Sequence, residues 1–177
     1  EVQLQFYRSR ADVPAALRAI EKIEARSWKV RSGLPITDSK HWTFYREYAE
    51  LAAGAGRLVI AVLELNGEPL AFDYAVIDQG VYYLLQTSHT EDRKDLYPGF
   101  ILRKLVIQWL IEQGAVEIDF GTGDTEWKSR WTRTVRRHTQ YVVYGRSLRG
   151  RLVSAVADLK ARRDRIDRVG HGTPHEP

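Results

Sequence analysis

No cysteine occurs in the 177-residue chain, and no methionine either. The first absence excludes thiol nucleophiles, disulfides and thiolate metal sites, and leaves a reducing cytoplasm as the default compartment. The second, with Glu1 at the start, points to a processed chain or a domain cut from a longer protein. No apolar run reaches the roughly 18 residues needed to span a bilayer, and no signal peptide opens the chain. An excess of charge is missing from most of the sequence. Seven basic residues against three acidic ones between Arg149 and Arg168 account for the whole net charge of +4. The body is therefore balanced, and the pI of 9.4 describes one terminal element.

What is present fits one soluble α/β domain over residues 1–168, with residues 169–177 as a disordered tail. Val2, Leu4 and Phe6 alternate, so an opening strand is expected. Leu17, Ile20 and Ile23 form the stripe of a first helix, with Pro14 in its first turn. Gly33 and Pro35 mark a loop. A second helix follows, with Trp42, Tyr45, Ala49 and Ala52 on one face and Gly54 and Gly56 at its end. "RLVIAVLEL", "PLAFDYAVI" and "VYYLLQTSH" then read as an antiparallel meander. The first is nearly all apolar and so expected to be central, and the turns at "NGE" and "DQG" carry residues suited to positive φ. Leu102, Leu105, Val106, Trp109 and Leu110 recur at helical spacing up to Gly114. After it come a short strand "AVEIDFG", a brief helix "DTEWKSRW" capped by Asp124 or Thr125, a strand "RRHTQYVVYGRS", and a basic helix with Leu152, Val156 and Leu159 inward. A helix crossing between two parallel strands has its N-terminus at the sheet's carboxyl edge, where open α/β sheets bind anions.

Several groups gather at that edge. "RKDLYPGF" opens the crossover helix: Arg93 and Lys94 supply charge, and Gly99 allows a close approach to free amides, a phosphate-binding arrangement. It reads equally as an ordinary helix start. The strands on either side, "VYYLLQTSH" and "VEIDFG", would accept a ligand's amide arm as an added strand. His89 and Asp119 lie at the same rim, as base candidates or as structural hydrogen-bonding groups. Asp124 and Lys128 are four apart, spaced for an ion pair or for an acceptor contact. Trp127 and Trp131, also four apart, suit packing on the sheet. Asp73 interrupts an apolar strand. Facing inward it is a substrate contact or a base of raised pKa; facing outward it has no role. His171 and His175 have a helical metal spacing in a segment that cannot be helical, so no metal is assigned. In the terminal helix, Asp158–Arg162 and Asp164–Arg168 make i,i+4 pairs, which favours a solvated face over a nucleic-acid surface.

Taken in order, "RSWK" at Arg26–Lys29, "GRL" at Gly56–Leu58, "PG" at Pro98–Gly99 and "IDFGTGDTEWKSRW" resemble the Gcn5-related N-acetyltransferase (GNAT) superfamily. The nearer likeness is to its CelD/BcsL-type branch, related to the FemAB transferases. The resemblance covers Phe6 to Trp131. It implies a mixed, mostly antiparallel sheet flanked by helices, with a splayed pair of parallel strands holding acetyl-CoA or another acyl-CoA. The pantetheine arm would lie along Gln86, Thr87, Ser88 and His89. The pyrophosphate would lie on the amides from Arg93 to Phe100, with Lys94, Tyr97 and Gly99 at the spacing of the family's phosphate loop but without its first glycine. The branch usually has tyrosine before its lysine; here Trp127 stands there, and an indole cannot act as a general acid.

The implied activity is direct acyl transfer to an amine or hydroxyl. His89, Asp73 or Asp119 would be the base; Asp124, Lys128 and Trp127 would face a small-molecule or saccharide acceptor. Two other readings remain open: a FemAB-like transferase using aminoacyl-tRNA, and a GNAT-fold binding module without catalysis.

Overall fold

The computed structural model describes residues 1–33, 35–38, 41–123, 125–136, 139, 142–145 and 147–157. The chain divides into two units, Glu1–Trp131 and Thr132–Pro177. The first unit holds a five-stranded sheet in the order β1-β2-β3-β4-β5, namely Val2–Tyr7, Leu58–Leu65, Glu68–Asp78, Val81–His89 and Glu117–Asp119. The first four strands are antiparallel neighbours, and β5 joins β4 in parallel. The helices are α1 (Val13–Glu24), α2 (Trp28–Arg31), α3 (His41–Gly54), α4 (Pro98–Glu112) and α5 (Glu126–Ser129).

The meander follows from its turns. Asn66–Gly67 and Gln79–Gly80 have φ of 53°, 79°, 50° and 79°. Two consecutive residues at positive φ twist with the flanking strands, so each hairpin closes in two residues. Strand β2 lies second in the sheet, and β3 takes the middle. Both faces of β2 are nevertheless buried, which explains its unbroken apolar run. Leu58, Ile60 and Val62 pack under α1 and α3 with Phe72, Tyr74 and Val76; Val59, Ala61 and Leu63 pack under α4 with Ala71 and Ala75. Each fully buried aliphatic side chain in these layers contributes about 1.5–3 kcal/mol.

Three expectations fail. The loop after α1 contains the one-turn α2 and a 3-10 turn at Ile36–Asp38. No strand forms among the described residues of 136–147, where Val142 and Val143 are 60% and 91% exposed. Residues 148–157 are helical as expected, but Leu152 and Val156 are exposed instead of inward. Leu159, Asp158–Arg168, both tail histidines and the tail itself lie outside the described residues.

Candidate active site

The parallel pair is short. Val81, Tyr82 and Tyr83 of β4 pair with Glu117, Ile118 and Asp119 of β5, and the pairing stops there while β4 runs on to His89. Two local features open the wedge. On β4 the register against β3 shifts between Tyr74↔Gln86 and Ala75↔Leu84, so Leu85 is a bulge residue that bends the strand. Beyond β5, Gly121 takes φ +73° with its Cα close enough to Leu84 that a Cβ would lie 3.3 Å from that carbonyl oxygen. A glycine is needed for both reasons. The Asp119 carboxylate accepts the Gly121 amide at 2.7 Å and holds this turn.

At the far end of the wedge the chain makes a 3-10 turn, Lys94–Leu96, and passes through Tyr97 into α4. Tyr97 has φ 50° and ψ 47°, a left-handed conformation uncommon for a tyrosine, and its side chain is 73% exposed. Within the expected phosphate loop the amides of Lys94, Leu96, Tyr97 and Phe100 already donate to Glu91, Arg93, Lys94 and Tyr97 carbonyls. The Phe100 and Ile101 amides share the Tyr97 carbonyl. Pro98 has no N–H, so Gly99 supplies the first amide of α4 that points along the helix axis. Arg93 is half-buried, Lys94 is exposed, and Phe100 stacks on Trp131 with ring centroids 5.0 Å apart.

His89 is half-buried at the end of β4. A Cβ on Gly99 would lie 3.2 Å from its Nδ1, so the ring rests on the first turn of α4. Burial and then the Lys29 charge push its pKa below the ordinary value of 6.5, which keeps the imidazole neutral. Ser88 is buried with Phe72 on the α1 side, and its Oγ has no partner among the described residues. Gln86 donates through Nε2 to the Tyr45 hydroxyl at 2.8 Å, and Tyr74 donates to the Tyr45 carbonyl at 2.8 Å. The four candidates Gln86–His89 thus point to two sides of the sheet.

Asp73 faces inward, toward α4, and is fully buried. Arg103 of α4 donates through Nη2 to its Oδ1 at 2.7 Å, and Nη1 forms an ion-pair contact with Oδ2 at 2.6 Å. Burial drives the carboxyl's pKa up; Arg103, then Thr87 and Tyr82, pull it back. Asp73 has no surface to offer a substrate. Over Arg103 lie the rings of Phe120 at 5.3 Å and Trp127 at 5.4 Å. Trp127 is therefore packed against this ion pair. Lys128 donates to the carbonyls of Gly121, Thr122 and Gly123 at 3.1, 2.6 and 3.1 Å and so ties the turn after β5. Asp124, its expected partner, lies outside the described residues.

The sequence reading missed Arg103 and Tyr82. A signal existed for the first: Arg103, Val106 and Leu110 share a helical face, so this arginine sits in the apolar stripe and faces the strand that carries Asp73. Tyr82 reads as an ordinary strand aromatic and gives no such signal.

Residues 1–129 match the family model of the Acetyltransferase (GNAT) domain. No curated protein matches the sequence. Among solved structures, an aminoglycoside acetyltransferase from an uncultured soil metagenomic sample, in complex with sisomicin, superposes with a TM-score of 0.56 at 11% identity, over 82% of this chain and 97% of its own. The aminoglycoside acetyltransferase AAC(6')-Iy, in complex with a CoA-linked bisubstrate analogue, gives 0.54 at 13%, over 81% and 98%. A GCN5-related N-acetyltransferase from Ralstonia eutropha JMP134 gives 0.55 at 15%, over 80% and 99%. These likenesses bear on the fold, and it is the family match across most of the chain that decides membership. This protein belongs to the GNAT acetyltransferase family and is an enzyme that takes its acyl group from acetyl-CoA.

Proposed function

We propose that the enzyme transfers the acetyl group directly to an amine or hydroxyl of a small-molecule or saccharide acceptor, in the wedge between β4 and β5. The observation that carries this is the unpaired β4 edge from Leu84 to His89, which leads from the bulge to the first turn of α4. The arm of acetyl-CoA fits that edge as an added strand. Its phosphates fit beside Gly99, where an amide, the helix dipole and the basic groups of Arg93 and Lys94 converge. In this reading a backbone N–H of β4 polarises the thioester carbonyl.

His89 is the base in this reading. It is neutral at neutral pH and can accept a proton, whereas the Asp73 carboxylate is buried against Arg103 and the Asp119 carboxylate accepts the Gly121 amide. Asp73 serves as a positioning residue through Arg103, and Asp119 holds the Gly121 turn. The attacking nitrogen or oxygen forms a bond to the acyl carbon and gives its proton, by way of water, to His89, which stands four residues along β4 from the bulge. The C–S bond then breaks, and the sulfur keeps the electron pair. Lys128 and Trp127 form the wall after β5, on the acceptor side. An aminoglycoside acetyltransferase of similar fold is known in complex with sisomicin and in complex with trehalose, which supports an acceptor of that size and polarity here.

The test is a mass-spectrometric search for acetylated product after incubation with acetyl-CoA and a panel of amino sugars, neutral saccharides and alkyl amines. Product with at least one acceptor, and a fall of about 100-fold or more in kcat for His89→Gln with the KM for acetyl-CoA unchanged, are expected. A variant that keeps full kcat removes His89 from the role of base.

A further inference from the structure

In an antiparallel pair, successive residues address opposite sides of the strand with their N–H and C=O groups. The Thr90 amide donates to the Leu70 carbonyl at 2.8 Å, and Phe72↔Ser88 and Tyr74↔Gln86 continue that register. Gln86, Ser88 and Thr90 therefore address β3, and Thr87 and His89 address the side that β5 has left.

That side is bordered by the segment Arg26–Lys29. The Glu91 amide donates to the Arg26 carbonyl at 2.9 Å, and Ser27 bridges Thr90. Arg26 is pinned by the Pro69 carbonyl at 2.8 Å and by the carboxylate of Glu68. Lys29 then reaches along the edge and donates through Nζ to the outward Thr87 carbonyl at 3.0 Å. The ammonium is held from behind by Glu24 at 3.1 Å; this carboxylate is fully buried, and its other oxygen accepts the Ile36 amide at 3.1 Å. An ammonium has three donors. Two are used here, and the side chain is only 13% exposed. Such a built arrangement, with a buried counter-charge and a backbone anchor, exceeds what a solvated lysine on a one-turn helix requires.

We infer that Lys29 is a donor-binding residue, whose ammonium fills the outward Thr87 carbonyl and offers its remaining N–H, beside the outward amides of Thr87 and His89, to the carbonyl oxygens of the acyl-CoA arm. The edge then presents hydrogen-bond donors in succession, and an arm lined with amide and thioester carbonyls is the complementary occupant. This rests on the reading of Gln86–His89 as the donor edge.

The experiment compares CoA with adenosine 3′,5′-bisphosphate, which carries a portion of the nucleotide but no arm. Affinities are measured by calorimetry and by competition, for wild type, Lys29→Met and Lys29→Gln, with melting curves to confirm folding. Loss of one charge-assisted hydrogen bond predicts CoA binding weaker by about tenfold in Lys29→Met, with bisphosphate affinity kept within about twofold. Lys29→Gln, which keeps a donor, should fall between the two. Equal weakening of both ligands assigns Lys29 to general charge or to fold integrity and overturns the inference, as does unchanged CoA affinity. A wild-type protein that binds neither ligand removes the donor edge itself, and the inference falls with it.

Discussion

Arg103→Met tests the buried pair under the wedge. Methionine keeps most of the side-chain volume but leaves the Asp73 carboxylate without its bidentate partner. Asp73 is fully buried and the Arg103 side chain is 4% exposed, so solvent cannot repair the loss. Stranding one member of such a pair costs about 3–5 kcal/mol. At roughly 3 °C per kcal/mol for a domain of this size, the melting temperature falls by about 9–15 °C. The double variant Asp73→Leu/Arg103→Met removes both charges and should recover most of that loss, because an ion pair and an apolar pair of like volume are nearly equivalent inside a protein. The pH dependence adds an independent sign. Without Arg103, burial is opposed only by the Thr87 and Tyr82 hydrogen bonds and holds the Asp73 folded-state pKa above the ordinary 3.8. A raised carboxyl pKa means that the folded state keeps its proton longer than the unfolded one. The cost in Arg103→Met is therefore small below pH 3.8, grows as pH rises above it, and is complete once pH has passed through the folded value. Urea titrations of wild type, both single variants and the double variant, at several pH values, measure all of this. A single variant within about 1 kcal/mol of wild type, or a double variant that loses the sum of the singles, refutes the reasoning.

His89 has a lowered folded-state pKa, so the unfolded chain takes up a proton first as pH falls below 6.5, and stability drops over that window. His89→Gln should flatten this region of the pH–stability curve, measured by thermal melts; an unchanged slope removes the effect from His89. Gly99→Val puts a branched side chain where a Cβ already lies 3.2 Å from the His89 ring. CoA affinity should fall by about tenfold or more, with a drop of a few degrees in melting temperature from the crowded ring; equal affinity means that α4 does not open onto the phosphates. Lys128→Met removes the donor that ties three carbonyls of residues 121–123. Amide exchange at Thr122 and Gly123 should speed up several-fold while the sheet stays protected, and equal protection in both proteins would dissociate Lys128 from the turn.

The regions of this fold that were legible are those encoded within a few residues. Asn66–Gly67 and the glycine of Gln79–Gly80 announce two-residue turns because the required φ is a local property. The stripe through Leu102, Val106 and Leu110 announces a packed helix for the same reason. Among the described residues of 136–147 the expected strand is absent on the opposite ground: an alternating pattern is a strand only when a ladder and a core receive it, and Val143 is 91% exposed. The site divides along the same line. Its location at the end of the meander and the start of the crossover helix could be read from element order. Its chemistry could not, because the decisive contacts join residues far apart in sequence. Arg103 meets Asp73 across 30 positions and Lys29 meets Thr87 across 58. Asp73 shows the limit well. Alternation with Phe72 and Tyr74 says that it takes the face they leave, but both faces of a covered sheet are interior. Which face holds an arginine decides whether the carboxylate is a base or a strut. The wedge has the same origin. A brief parallel pairing, a bulge at Leu85 and the left-handed Gly121 each look minor in one dimension. Together they end the β4–β5 ladder after Tyr83 and leave Leu84–His89 outside it, the edge on which the proposed acyl-CoA site rests.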